Sequence, residues 1–267
     1  MMYNQEMRMH QFPLSSLMIN VLICILICCT NAQAGVVVGG TRFVYPEKQS
    51  SISVEIKNTA SKDMLVKISV TPDDGRQLKG TLESQPLLPD KAFIATPPLL
   101  VLKQDKNTKI RINRVGGQLP IDRESLFILN IAALPAQEQN SQLKNENQLQ
   151  VAVRNRMKIF YRPETLSGNP LDAYQQLRWS RNNEAVTVFN PTPWYVTLYN
   201  LSIDGKSING GMVAPFSHRQ QDWCQRQGYC EINWQTLDLY NNALPVWSVK
   251  LNVLQNNAIM GAVAIHG

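Results

Sequence analysis

Short runs in which apolar and polar residues alternate recur along most of the chain, and they constrain its fold more than any other feature. In "SISVEIKN" (51–58) Ile52, Val54 and Ile56 share one face, because successive side chains of a strand point to opposite sides. "MLVKISV" (64–70), "TKIRINRV" (108–115), "SLFILNIAAL" (125–134) and "LQVAVRNRMKIFY" (149–161) repeat the pattern. Polar, turn-forming stretches such as "NTASKD", "PDDGRQLKG" and "GGQLPIDRE" separate them. No run carries the period of a helix of normal length. Strands at this spacing imply an all-β sandwich. "AQEQNSQLKNENQ" (136–148) is polar throughout and reads as a mobile loop between two strands.

The texture restarts after Pro163. "PETLSGNP" is rich in turn residues, and new strand candidates follow: "LRWSR", "AVTVFN", "WYVTLYNLSI", "CEINW" and "VWSVKLNVLQ". The divide falls near Arg162 to Thr165. The expectation is two β-sandwich domains in series, 35–162 and 163–267.

The first 34 residues read as a removable export signal. Arg8 lies in a polar leader, and "LMINVLICILICCT" (17–30) is apolar but short for a membrane span. Ala32 and Ala34 then supply the small residues that a signal peptidase reads. Cleavage between Ala34 and Gly35 would release an exported protein. Loss of Glu6 and Arg8 together leaves the net charge at +6. The basic residues are scattered, with no run of the kind that grips nucleic acid, so no nucleic-acid partner is expected.

Cys24, Cys28 and Cys29 leave with the signal, so Cys224 and Cys230 remain as a pair in "WCQRQGYC". An even count in an exported chain suggests a disulfide; the alternative is two reduced thiols. A zinc site would need further ligands, and only His218 and His266 remain in that part of the chain. The sequence carries no nucleophile elbow, no phosphate-binding loop and no H-E-x-x-H. An enzyme is therefore not expected, and neither is a cofactor or a metal.

Several segments together resemble the periplasmic pilus chaperones of the chaperone–usher pathway, the PapD-like family. They are "GTRFVYP", "FIATPPLLVLKQDKNTKIRI", "LPIDRESLFILNIAALP", "LQVAVRNRMKIFYRP", "VFNPTPWYVTL" and "APFS" with the paired cysteines, in the family's order. The resemblance implies two immunoglobulin-like β-sandwiches arranged as a boomerang. It implies a non-enzymatic periplasmic chaperone with two kinds of partner: pilus or fimbrial subunits that lack a final strand, and an outer-membrane usher that receives them. It also implies self-association of the free protein through its exposed strand. The moderate loop before that strand, and the absence of a cysteine pair from the first domain, look like the short-loop branch.

The resemblance assigns roles to single residues. Leu149, Val151 and Val153 match the strand lent to the subunit, although the pattern alone favours burial in this protein's own core. Arg42 and Lys158 match the cations that hold the subunit's terminal carboxylate; otherwise they are ordinary strand residues. Strict alternation places Lys158 on the opposite face from Leu149, Val151 and Val153. Arg154 and Arg156 read as solvated. Glu124 and Arg162 match an interdomain ion network whose third, acidic member the sequence does not identify. Two departures stand out: Ile128 replaces a usual aromatic, and "LDLYNNALP" lacks the glycine that often follows its tyrosine. The rival reading is a structural pilin or adhesin, but such a subunit would normally be one incomplete sandwich.

Overall fold

The computed structural model describes residues 35–135, 152–225 and 227–252, and the backbone of 263–264. Its described regular elements are strands and two short 3-10 turns, Arg76–Leu78 and Pro170–Gln176. The alternating runs are the strands, because only the extended backbone puts every second side chain on one face.

The first sandwich has two sheets. One orders β1 (Val36–Val38), β3 (Ser51–Asn58), β7 (Asn107–Arg114) and β5 (Phe93–Thr96). The other orders β2 (Arg42–Pro46), β9 (Val153–Arg162), β8 (Ser125–Pro135), β4 (Met64–Pro72) and β6 (Leu99–Leu102). Neighbours run antiparallel except β2 and β9, which pair in parallel. Val54, Ile56, Ile110 and Ile112 from the first sheet meet Val66, Ile68, Leu129, Ile131 and Ile159 from the second. Tyr45, Phe93, Phe127 and Tyr161 close one end of this core with edge and tilted ring contacts. Leu149 and Val151, expected on the strand now seen as β9, lie outside the described residues.

The second sandwich is built around Trp179 and Trp234, whose rings are 5.0 Å apart, with Val186, Val188, Leu201 and Ile232. One sheet orders β10 (Arg178–Asn182), β11 (Ala185–Asn190) and β16 (Ser217–Asp222). Another orders β14 (Lys206–Ser207), β13 (Tyr199–Ile203), β17 (Tyr229–Gln235), β18 (Trp247–Asn252) and β19 (Val263–Ala264). The run "WYVTLYNLSI" is not one strand as its pattern suggests. It divides into β12 (Val196–Thr197), paired with β15 (Met212–Val213), and β13. The cause is local: Asn200 takes φ 45°, and the register against β17 shifts between Tyr199 and Ser202. Cys224 and Cys230 form a disulfide, both buried beside this core.

Buried polar groups are matched where a turn needs them. The Asn190 amide donates to the carbonyls of Trp194, Val213 and Ala214, and its oxygen accepts from Thr192. These bonds hold the turn "NPTPW" in place. Asn241 stands where the resemblance would have a glycine, and it adopts φ 66° itself. Asparagine tolerates the left-handed region better than most residues, so the turn survives the substitution.

Glu47 links the first sandwich to the segment that leaves it. Its carboxylate accepts from the Glu164 backbone N–H at 3.1 Å and from the Tyr161 hydroxyl at 2.9 Å. The Glu164 hydrogen bond, then that of Tyr161, holds its pKa below the ordinary carboxylate value. A carboxyl lowered by folding stabilises above its unfolded pKa, and that contribution is lost as pH falls through the folded one. Glu47→Gln should therefore lower Tm at pH 7. The gap to the parent should close as the pH falls below about 4. Thermal melts from pH 7 to pH 2.5 check this; a constant gap would contradict it.

Candidate functional site

The site begins with the two faces of β9. Met157, Ile159 and Tyr161 point into the first core. Lys158, Phe160 and Arg162 alternate with them and point outward, where the second sandwich meets the first. There Phe160 and Leu126 pack against Met212, with Leu78 and Tyr195 beside them. Strand alternation thus gives one element two separate duties.

Parallel pairing sets Arg42 directly beside Lys158. Lys158 is partly buried, and its pKa is lowered first by burial and then by the Arg42 charge, with Asp73 opposing. Burial also lowers Arg42, and the Asp238 carboxylate partly offsets this. Arg42 Nη1 donates to the Leu237 carbonyl at 3.3 Å, while its buried Nε has no hydrogen-bond partner among the described residues. Among the described residues neither cation forms an ion pair with a carboxylate. Two crowded, partly desolvated cations favour an added anion, because each raises the local potential at the other. Arg42 lines a cavity with Arg162, Tyr174 and Tyr240, and Lys158 lines one with Gln77, Tyr199 and Met212.

The same strand offers a backbone edge. β8 pairs with β9 from Val153 to Tyr161, but β2 pairs only from Lys158 onward. Among the described residues no strand pairs the other edge of residues 153–157. Val153 is 47% exposed, so the first core does not bury it. Arg154 is exposed. Arg156 differs from its expectation as a solvated charge: it pairs with Asp74 Oδ1 at 3.0 Å. Sequence separation hid that contact.

Glu124 and Arg162 come together and reach across to the second sandwich. Arg162 donates from Nε and Nη2 to Glu124 Oε1 at 3.0 and 2.8 Å. The other carboxylate oxygen accepts from the Tyr195 backbone N–H at 3.0 Å. The Glu124 N–H donates to the Pro193 carbonyl at 2.9 Å, and the Arg162 guanidinium lies over the Trp194 ring. Burial pushes the Glu124 pKa up; the Arg162 charge and these hydrogen bonds pull against it. Among the described residues, the second sandwich meets this pair with a backbone N–H and an indole face, and no third acidic side chain forms an ion pair with it. Asp238 instead acts on Arg42. Backbone donors and ring faces leave no charge signal in a sequence, although "NPTPWY" marked the turn that supplies them. No three His, Cys, Asp or Glu side chains gather as a metal site among the described residues.

Two family models match consecutive parts of the chain. "Pili and flagellar-assembly chaperone, PapD N-terminal domain" matches residues 35–167, and "Pili assembly chaperone PapD, C-terminal domain" matches residues 172–240. The chain belongs to the PapD family of pilus-assembly chaperones. Among the relatives of this PapD-family chain, the "Uncharacterized fimbrial chaperone YcbF" of Escherichia coli strain K12 is 41% identical over 218 residues, 80% of this chain and 88% of the relative. The E. coli chaperone DraB matches in structure with TM-score 0.68 and 27% identity, covering 82% of this chain and 97% of DraB. A Salmonella enterica structure, "SafA pilin in complex with the SafB chaperone", matches with TM-score 0.68 and 25% identity, covering 82% and 98%.

Glu124 is 4% exposed, so removing its partner would strand a buried charge. Arg162→Met should destabilise the protein by about 3–5 kcal/mol, whereas Glu124→Gln with Arg162→Met should recover most of the loss. Urea unfolding of the single and double variants measures both. With Glu124→Gln measured alone as well, a double-variant loss equal to the sum of the two single losses would show that the pair is not coupled.

Proposed function

We propose that the chain is a periplasmic, non-enzymatic chaperone that completes pilus or fimbrial subunits by lending them the β9 edge. One observation carries this reading: among the described residues, a half-unpaired strand with an exposed valine leads directly to two adjacent cations without a carboxylate partner. An immunoglobulin-like subunit lacking its last strand would add its own edge to residues 149–157. Val153, together with Leu149 and Val151 from outside the described residues, would fill its groove. The subunit's terminal carboxylate would lie on Lys158 and Arg42, which fixes where pairing starts and hence its register.

Glu124 and Arg162 hold the angle between the sandwiches in this reading, with the first domain ending at Arg162. An export signal cleaved between Ala34 and Gly35 delivers the protein to the periplasm. The loaded chaperone passes its subunit to an outer-membrane usher, and the free protein covers its edge by self-association. Pairing of SafB with a pilin supports the subunit as the partner class. The two consecutive domain matches favour a chaperone over a pilin or adhesin.

The test is co-expression with fimbrial subunits, followed by purification of the complex. Lys158→Ala and Arg42→Ala should each remain folded and weaken capture by roughly 10- to 150-fold. That corresponds to about 1.5–3 kcal/mol for a charge-assisted bond. Val153→Asp should also impair capture while leaving Tm unchanged, because Val153 is exposed in the free protein. Full capture by both cation variants would refute the anchor. A large drop in Tm for Val153→Asp would refute its place on the lent edge.

A further inference from the structure

The segment between β4 and β5 does more than connect them. It leaves the first sandwich at Pro72, makes the 3-10 turn Arg76–Leu78, and then runs beside the edge of β16 in the second sandwich. Thr81 and Arg219 form an antiparallel bridge. The Leu82 N–H donates to the His218 carbonyl at 2.9 Å, and the Gln220 N–H donates to the Gly80 carbonyl at 2.9 Å. Residues 80–82 thus act as an added strand on a sheet whose order, β10-β11-β16, otherwise ends at that edge.

Side chains reinforce this crossing. Glu83 Oε2 accepts from the His218 backbone N–H at 2.6 Å, and Glu83 Oε1 meets His218 Nδ1 at the same distance. A face of the His218 ring stacks on Phe189, centroids 4.3 Å apart. Gln85 Nε2 donates to Ser217 Oγ at 2.9 Å. Gly80 permits the approach: its φ is +88°, and an added Cβ would stand 2.8 Å from the Gln220 carbonyl oxygen.

The near end of the same segment touches the anchor strand. Asp74 pairs with Arg156 of β9 at 3.0 Å. Leu78 packs on the Leu126, Phe160 and Met212 cluster. Gln77 lines the cavity that contains Lys158. Held at both ends, the turn forms part of the wall around that lysine.

We propose that residues 74–85 are an interdomain brace that positions the cleft around Lys158, with Glu83 and Gly80 as its positioning residues. The proposal deepens the function above and rests on the reading of Lys158 as the subunit's anchor. Its physical basis is that one covalent segment is bonded both to the anchor strand and to the second sandwich. Release from β16 would free Gln77 and Leu78 from one side and open the cavity.

The experiment uses the full folded chain and two measurements that need no subunit. Hydrogen exchange reads the amides of Leu82 and Gln220. Acetylation by N-hydroxysuccinimidyl acetate, located by mass spectrometry, reads access to the Lys158 amine, with exposed Lys48 as the internal reference. Gly80→Ala should speed exchange at both amides at least tenfold and raise Lys158 acetylation relative to Lys48 about fivefold. Glu83→Ala, which changes only a surface side chain, should shift both in the same direction. Glu83→Gln, which keeps an acceptor for the His218 N–H, should restore values near the parent. Unchanged exchange in both disruptive variants would overturn the brace. Faster exchange with unchanged Lys158 acetylation would overturn its positioning role. Normal subunit capture by Lys158→Ala would refute the anchor alone, since neither of these measurements involves a subunit.

Discussion

The alternation of β9 is the constraint from which the rest of the site follows. Met157, Ile159 and Tyr161 must face the core of the first sandwich for it to close. Lys158, Phe160 and Arg162 then have no choice but to face outward, toward the second sandwich. A slip of one residue would exchange the two sets, burying the cations and exposing the core. The parallel pairing with β2 secures that register and brings Arg42 to Lys158. Folding of the first domain and presentation of the cationic pair are therefore one structural event.

Charges near the cleft are treated in two opposite ways. Glu124 is buried but fully engaged, with Arg162 on one oxygen and the Tyr195 N–H on the other. A carboxylate so enclosed resists rearrangement and suits a joint between sandwiches. Arg42 and Lys158 are partly buried and, among the described residues, lack a carboxylate ion pair, and the Arg42 charge makes that of Lys158 more costly. That unfavourable pairing in the free protein becomes favourable when an anion arrives. On the function proposed above, the first group stays as it is and the second is completed by the subunit's carboxylate.

Much of this was legible in the sequence because its cause was local and periodic. Ile52, Val54 and Ile56 announced β3, and the parity of Lys158 announced that it would leave the core face. Other features depended on tertiary geometry that no period encodes. The break of "WYVTLYNLSI" follows from the left-handed Asn200 and a shifted register, neither visible in its regular hydrophobicity. The pairing of Arg156 with Asp74 joins residues distant in sequence. The stretch "PDDGRQLKG" looked like a simple turn, whereas its glycine at position 80 serves a close approach to β16. Glu124 and Arg162 came to notice by resemblance to a family, but their backbone and indole partners in the second sandwich did not.

The parallel pairing of β2 and β9 also has a consequence for the order in which the chain can assemble. Asn155 donates to the Val36 carbonyl across 119 residues, and β2 finds its partner in β9, the last strand of the first sandwich. A chain emerging from its N-terminus offers β1 and β2 first, yet β2 must wait for β9 before it has a neighbour. Contacts so remote bring a large loop-closure entropy before any reward and favour slow folding. β3 and β7, or β4 and β8, can pair sooner, so the cationic pair forms only when the nascent first sandwich is nearly complete. On the function proposed above, a partly made chain could not hold a subunit's carboxylate, and recognition would begin only once the first sandwich is itself folded.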